Sequence, residues 1–196
     1  MKCCADETGK ERPVERELWD LYNVNREKTG ETIVRGNRIP EGCYRLVVHV
    51  CIFDTQGRML IQQRQKTKAG WPDMWDVSVG GHVQAGETTQ EAGERETMEE
   101  LGLSVKLQGK RPAFSTSFPN GYDDIYTIEM NVDINGLKLE TDEVQAVRWA
   151  SKQEIFDLME QGKFIRYHKS LIELEFYLRN HPEARMEQIK ANGSVL

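Results

Sequence analysis

The sequence predicts an α/β (α+β) layer structure in which a mixed β-sheet lies between helices. Three observations predict it: short strand-like apolar runs, at least three segments of helical periodicity, and links too short to separate two domains. Hydrophobic residues make up 38% of the 196-residue chain and charged residues 30%, a balance suited to one globular core with short extensions.

The first dozen residues are charged and polar and are expected to be mobile. Leu18 to Val24 and Thr32 to Arg35 read as strands, and Asn25 to Gly30 has turn composition, so an N-terminal extension over 1–37 carries a β-hairpin. Ile39 to Gly42 is a turn. Tyr44 to Phe53 is nearly continuous in apolar and β-branched residues, the pattern of a strand covered on both faces, with His49 as a satisfied core or groove residue. Asp54 to Gly57 turns the chain into a strand at Met59 to Gln63. Lys66 to Pro72 is a polar loop, and Trp75 to Val79 a strand that Gly80 and Gly81 are expected to break.

Thr88 to Leu101 has helix chemistry: Thr88 and Glu91 stand at capping-box spacing and Gly102 is a natural stop. Val105 to Phe118, Ile125 to Val132 and Val144 to Trp149 read as strands, and Lys152 to Gln161 and Lys169 to Arg179 as helices. These elements assign 38–162 to the principal domain and 163–196 to a helical tail packed on it. A further weak helix is expected after His181-Pro182.

The net charge of −6 argues against non-specific nucleic-acid binding, which needs a basic surface. No apolar run reaches the length of a membrane span, and the N-terminus has no secretory pattern. Cysteines stand at 3, 4, 43 and 51 without C-x-x-C spacing, so no zinc site is expected. Cys51 falls in an apolar run as a buried residue, and a reducing, cytoplasmic setting fits.

The chemistry is concentrated in Gly81 to Leu103, GHVQAGETTQEAGERETMEELGL. On a helix Glu96, Glu99 and Glu100 share one face, where their charges repel. A divalent cation offsets that repulsion, and hard oxygen ligands favour Mg²⁺ or Mn²⁺. Three glutamates alone are more often a solvated helix face. The wider spacing decides otherwise. Gly81, Glu87, Arg95, Glu96, Glu99, Glu100 and Gly102 match the fixed positions of G-x5-E-x7-R-E-U-x-E-E-x-G-U, a coincidence on the order of one in a million by chance.

This segment resembles the signature of the Nudix hydrolase family, with flanks similar to its isopentenyl-diphosphate-isomerase-like branch. Thr97 stands where the signature has a bulky aliphatic residue, and a local packing change is expected there. The resemblance implies a Nudix-type α/β/α sandwich that hydrolyses a diphosphate linkage in a nucleoside diphosphate derivative or related compound with metal-activated water. It implies Glu99 and Glu100 as main metal ligands, Glu96 as ligand or base, and the Gly81 carbonyl as a further ligand. Arg95 orients the carboxylates with Glu87 as partner. One more acidic group is expected from beyond the helix, Glu143 first, with Glu140 and Glu129 as rivals. Arg64 is expected to contact phosphate, and Trp71 is a stacking candidate for the rest of the substrate. Lys66, Lys68 and Trp75 more simply read as an exposed basic loop and wall packing, and His82 as a loop histidine with a structural hydrogen bond.

Two other readings stand beside hydrolysis. An isopentenyl-diphosphate isomerase would need a cysteine in the strand entering the glutamate segment, and Trp75 to Gly81 has none. A binding-only module would have lost glutamates, and all are present. The substrate, the choice between Mg²⁺ and Mn²⁺, and pairing into a homodimer are not decided by sequence.

Overall fold

A computed structural model describes residues 17–140 and 142–179. The expectations of a mobile N-terminus and of a helix after Pro182 lie outside the described residues, as do Cys3 and Cys4.

The chain forms β1 (Leu18–Tyr22), β2 (Lys28–Val34), β3 (Arg45–Phe53), β4 (Met59–Arg64), β5 (Trp75–Asp76) and β6 (Val79–His82). It continues with α1 (Thr89–Leu101), β7 (Phe114–Phe118), β8 (Gly121–Glu129), β9 (Val144–Ala150), α2 (Lys152–Glu160) and α3 (Lys169–Leu178). β1 and β2 pair as an antiparallel hairpin, starting four residues earlier on the second strand than the composition suggests. The other seven strands form one mixed sheet. β3 is its axis: β8 runs parallel along one edge, while β6 and β4 share the other. β9 then pairs with β4, and β7 with β8.

Alternation along β3 separates two cores. Val48, Val50 and Ile52 face α1 with Ala92, Leu101 and Leu107. Cys51 and Phe53 face Ile155 of α2 and Ile172 of α3. The sheet therefore lies between helices, as a sandwich. No helix among the described residues is long and apolar enough to cross a membrane.

Helix α1 starts where its chemistry says it should. Thr88 accepts from the Glu91 N–H, and the Glu91 carboxylate accepts from the Thr88 N–H. Gly102 ends it at φ 66° in the left-handed region, where a side chain would be strained. Thr97 is fully buried and its hydroxyl donates to the Gly93 carbonyl at 2.6 Å, so the threonine fits without an unmet polar group. Gly93 lets α1 lie close to the sheet, because an added Cβ would stand 2.7 Å from Leu107 Cδ1 and 3.2 Å from Val50 Cγ2. Overpacking there costs about 1–3 kcal/mol, and alanine's helix preference returns about 1. Gly93→Ala is expected to lose about 1 kcal/mol net in urea unfolding. A more stable variant would contradict the close packing.

Three sequence expectations are corrected. Gly80 and Gly81 do not break a strand; they lie inside β6, and the break falls at Val77-Ser78. There the buried Ser78 hydroxyl accepts from the Ile52 N–H and donates to the Leu60 carbonyl, bridging β3 and β4 where their ladder parts. Val105 to Phe118 is not one strand. Gly109, at φ 79°, turns the chain, Pro112 offers no N–H, and only 114–118 pairs. β8 begins at Gly121, four residues before the apolar run. Asp123 and Asp124 are tolerated in it because His49 and Arg26 pair with them.

Candidate functional site

A cavity of about 710 Å³ opens on the face of β3 that carries Arg45, Val47 and His49. Its walls gather side chains far apart in sequence, including Arg64, Trp71, Gly81, Arg95, Glu96, Glu99, Glu100 and Glu143. Gly81, Arg95, Glu96, Glu99, Glu100, Glu143, Arg64 and Trp71, expected from sequence to act together, all border this space. Glu140 borders it too, whereas Glu129, at the end of β8, does not.

Helix spacing brings the glutamates to this wall, but their environments differ. Glu100 is 3% exposed and accepts from Gln62 Nε2 at 2.8 Å. Burial, then the nearby Glu96 charge, outweighs that bond and pushes its carboxyl up to about 8. Glu96 lies against the backbone of Gly81: a Cβ on that glycine would stand 2.1–2.3 Å from the glutamate side chain. Burial raises Glu96 to about 7 despite the opposing pull of Arg95. Glu99 is more open, with 56% of its side chain exposed.

Arg95 ties the group together. It donates to both Glu87 oxygens, at 2.7 and 3.0 Å, and to the His82 carbonyl at 3.0 Å. Its Nη1 lies 2.9 Å from Glu96 and 3.0 Å from Glu99. Burial acts to lower the guanidinium pKa, and the Glu87 and Glu96 carboxylates outweigh it, holding the charge firmly. Among the described residues no three acidic, histidine or cysteine side chains converge on one point as a cation cage. The guanidinium is the cation standing between Glu96 and Glu99.

The donor set nonetheless fits a hard divalent ion. Glu96, Glu99 and Glu100 offer carboxylate oxygens at one wall, and Gly81 is bare of any side chain that would block approach to its backbone. Gln62 Oε1, beside Glu100, is buried without a hydrogen-bond partner, a polar atom that an ion or its water shell could satisfy.

Also lining the cavity, Lys68 meets Glu143 at 2.5 Å, and Arg64 stands 3.8 Å from the buried Asp76 while donating to the Gly70 carbonyl. Trp71, at φ 50°, is half exposed. Trp75 packs in the second core beneath Arg148.

His82 is a strand residue, stacked on Trp19 with ring centres 4.3 Å apart. Burial, then Arg35 and Arg45, lowers it to about 4, so it is neutral. His49 is the opposite case. Its Nδ1 lies 2.8 Å from Asp123 and its Nε2 3.3 Å from the Tyr167 hydroxyl, which donates to Asp76 at 2.9 Å. Burial would neutralise it, but Asp123, with Asp76 and Glu175, raises it to about 9. Asp123, Tyr167, Gln62, Asp76, Arg45 and Trp19 join this region only through the tertiary structure and are not legible in the sequence as site residues. Gln62 carried a signal, a polar residue inside an apolar strand. Tyr167, in the link between α2 and α3, carried none.

The family model of the NUDIX domain matches residues 44–171. An uncharacterized Nudix hydrolase of Listeria monocytogenes is 47% identical over 151 residues, 77% of this chain and 89% of that protein. An isopentenyl-diphosphate Delta-isomerase of Cutibacterium acnes is 31% identical over 119 residues, 55% of this chain and 60% of that protein. A crystal structure of a Deinococcus radiodurans protein superposes with a TM-score of 0.66 at 25% identity, covering 80% of this chain and 98% of that one. With the glutamate helix seated on a mixed sheet as described above, this chain belongs to the NUDIX domain family, the family of the Nudix hydrolases.

Proposed function

We propose that this protein hydrolyses a diphosphate linkage in a nucleoside diphosphate derivative or related compound, with Mg²⁺ or Mn²⁺ held by Glu96, Glu99, Glu100 and the Gly81 carbonyl. Glu143, whose charge acts on Glu100, is the first candidate to complete that set from beyond the helix. The observation that carries the reading is the packing of Glu96 on Gly81 beside the buried Glu100, at the wall of a cavity roomy enough for a diphosphate and an attached group.

The bound ion would neutralise diphosphate oxygens and lower the pKa of a coordinated water. Arg95 fixes Glu96 and Glu99 relative to the helix and to Glu87, so these oxygens need little reorganisation. Glu96, at the cavity wall and fixed by Arg95, is a candidate to take a proton from water. Arg64 and Lys68 are placed to contact phosphate oxygens, and Trp71 to pack against the group beyond them. Cys43 and Cys51 are free thiols, which goes with a reducing, cytoplasmic setting.

The isomerase relative raises the alternative, and Gly80 speaks against it. A cysteine is required in this strand, yet a Cβ at Gly80 would stand 2.6 Å from the His49 ring, so that place is taken. Cys51 is fully buried in the second core, beside Glu175, and does not border the cavity.

The test is phosphate release from nucleoside di- and triphosphates, nucleotide sugars and dinucleotides with Mg²⁺, with Mn²⁺ and with chelator. Release that needs metal supports the reading and identifies the substrate class. Isomerisation of isopentenyl diphosphate with no release from any compound would overturn it.

A further inference from the structure

Five arginine and lysine side chains border the cavity, and four of them are matched by carboxylates. Arg35 meets Glu17 at 2.5 Å, Arg64 meets Asp76 at 3.8 Å, Lys68 meets Glu143 at 2.5 Å, and Arg95 meets Glu87 at 2.7 Å. Arg45 is the exception among the described residues. Among the described residues no carboxylate lies within ion-pair distance of it, and its Nε is buried without a hydrogen-bond partner. Burial alone acts on its pKa, lowering it, with no acidic group to raise it again.

The guanidinium is nevertheless firmly placed. It lies 5.3 Å from the centre of the Trp19 ring and 5.0 Å from that of Phe118. Trp19 is fixed by its stack on His82 and by its indole N–H, which donates to Glu17 at 2.8 Å. Phe118 is fixed against Gly121, where a Cβ would stand 2.4 Å from the ring. Two aromatic rings hold the flat cation, and its Nε–H has no hydrogen-bond partner among the described residues. A half-buried cation at a cavity wall with no carboxylate among the described residues beside it favours a ligand that supplies the counter-charge.

Its position along β3 sets it apart from Gly81. Val48 pairs with Gly81 across β3 and β6, and Arg45 stands three residues further along β3, roughly 10 Å away at strand rise. Arg45 and His49 share the cavity face of β3 by alternation. The paired cations Arg64 and Lys68 line the cavity as candidate contacts for the scissile diphosphate, which leaves Arg45 for something else.

We infer that Arg45, framed by Trp19 and Phe118, recognises a second oxyanion of the substrate, a phosphate or carboxylate distinct from the scissile diphosphate. This rests on the hydrolase reading for the identity of the other subsite, but the anion site itself does not. The substrate class becomes a diphosphate whose distal end is itself acidic, and a neutral distal end leaves the Arg45 fork unused.

The test is calorimetric titration of inorganic phosphate, and separately of malonate, into metal-free protein in buffer stripped of divalent ions. Wild type is expected to bind at least one of them, which also tells phosphate from carboxylate. Arg45→Met, which keeps the stem between the rings, is expected to weaken that binding by about tenfold or more, the scale of a charge-assisted bidentate contact. Arg45→Lys keeps the charge but not the fork and is expected to fall between, so it reports even if the methionine variant folds poorly. Equal binding by wild type and both variants, or no binding of either anion by wild type, would overturn the inference. No metal or turnover enters this titration, so its outcome is separate from whether the chain hydrolyses diphosphates. Under turnover with a distally acidic substrate, Arg45→Met is expected to raise KM with kcat little changed.

Discussion

Glu100→Gln is expected to lower kcat by on the order of a thousandfold, the scale of removing a positioned charge from a desolvated site. The substitution keeps the size of a side chain that is 3% exposed and still places an amide beside Gln62. Burial and the Glu96 charge raise the Glu100 carboxyl to about 8 when no ion is bound, so the neutral amide replaces a group that this wall already disfavours as an anion. The fold is therefore expected to stand, and thermal unfolding in chelator to match or exceed wild type. Stabilisation by added Mn²⁺ is expected to shrink, because an amide oxygen is a weaker ligand than a carboxylate. Glu99→Gln is expected to act in the same direction through a more exposed ligand. Near-wild-type turnover in both variants, with wild-type metal stabilisation, would sink the assignment of this wall.

The second large effect concerns stability. Asp123→Ala is expected to cost about 3 kcal/mol below neutral pH, because it strands the charged His49 in a mostly buried place. Only 15% of the His49 side chain and 13% of Asp123 are exposed. The groups facing the imidazole are Asp123 on β8, Asp76 on β5, Glu175 on α3 and Tyr167 from the link before α3. The sign follows from the direction of the shift. The folded-state pKa of His49 is about 9, above the ordinary 6.5, so the folded protein binds the proton more tightly than the unfolded chain. That contribution is complete below pH 6.5 and is lost as pH rises through 9. Urea unfolding of wild type and variant should therefore differ most below 6.5 and converge above 9. A gap that stays constant across that window would show that the histidine charge plays no part.

The candidate chemistry was legible because it is local. Glu96, Glu99 and Glu100 reach one wall through helix periodicity alone, and the Thr88–Glu91 box and Gly102 bound that helix by contacts within a few residues. Arg95 and Glu87 were readable as partners for the same reason, being joined by one short segment. The strands with continuous apolar runs, Arg45–Phe53 and Met59–Arg64, were legible because burial on both faces requires apolar side chains on both.

Errors arose where long-range partners overrode local preference. Paired glycines read as a breaker, yet β6 runs through them because they admit the His49 ring and the Glu96 carboxylate at distances no side chain would permit. The aspartates of β8 read as outside the strand, yet an arginine from the hairpin and a histidine from β3 neutralise them across nearly 100 and more than 70 residues.

By itself the sequence determined the class of the fold, the helix that carries the glutamates, and the family whose signature they form, since each is written in contacts between near neighbours. Only the tertiary structure decided which side chains share the cavity. The pairing of Arg35, Arg64 and Lys68 with carboxylates depends on distances between separate elements that no spacing encodes, and among the described residues it leaves Arg45 without one.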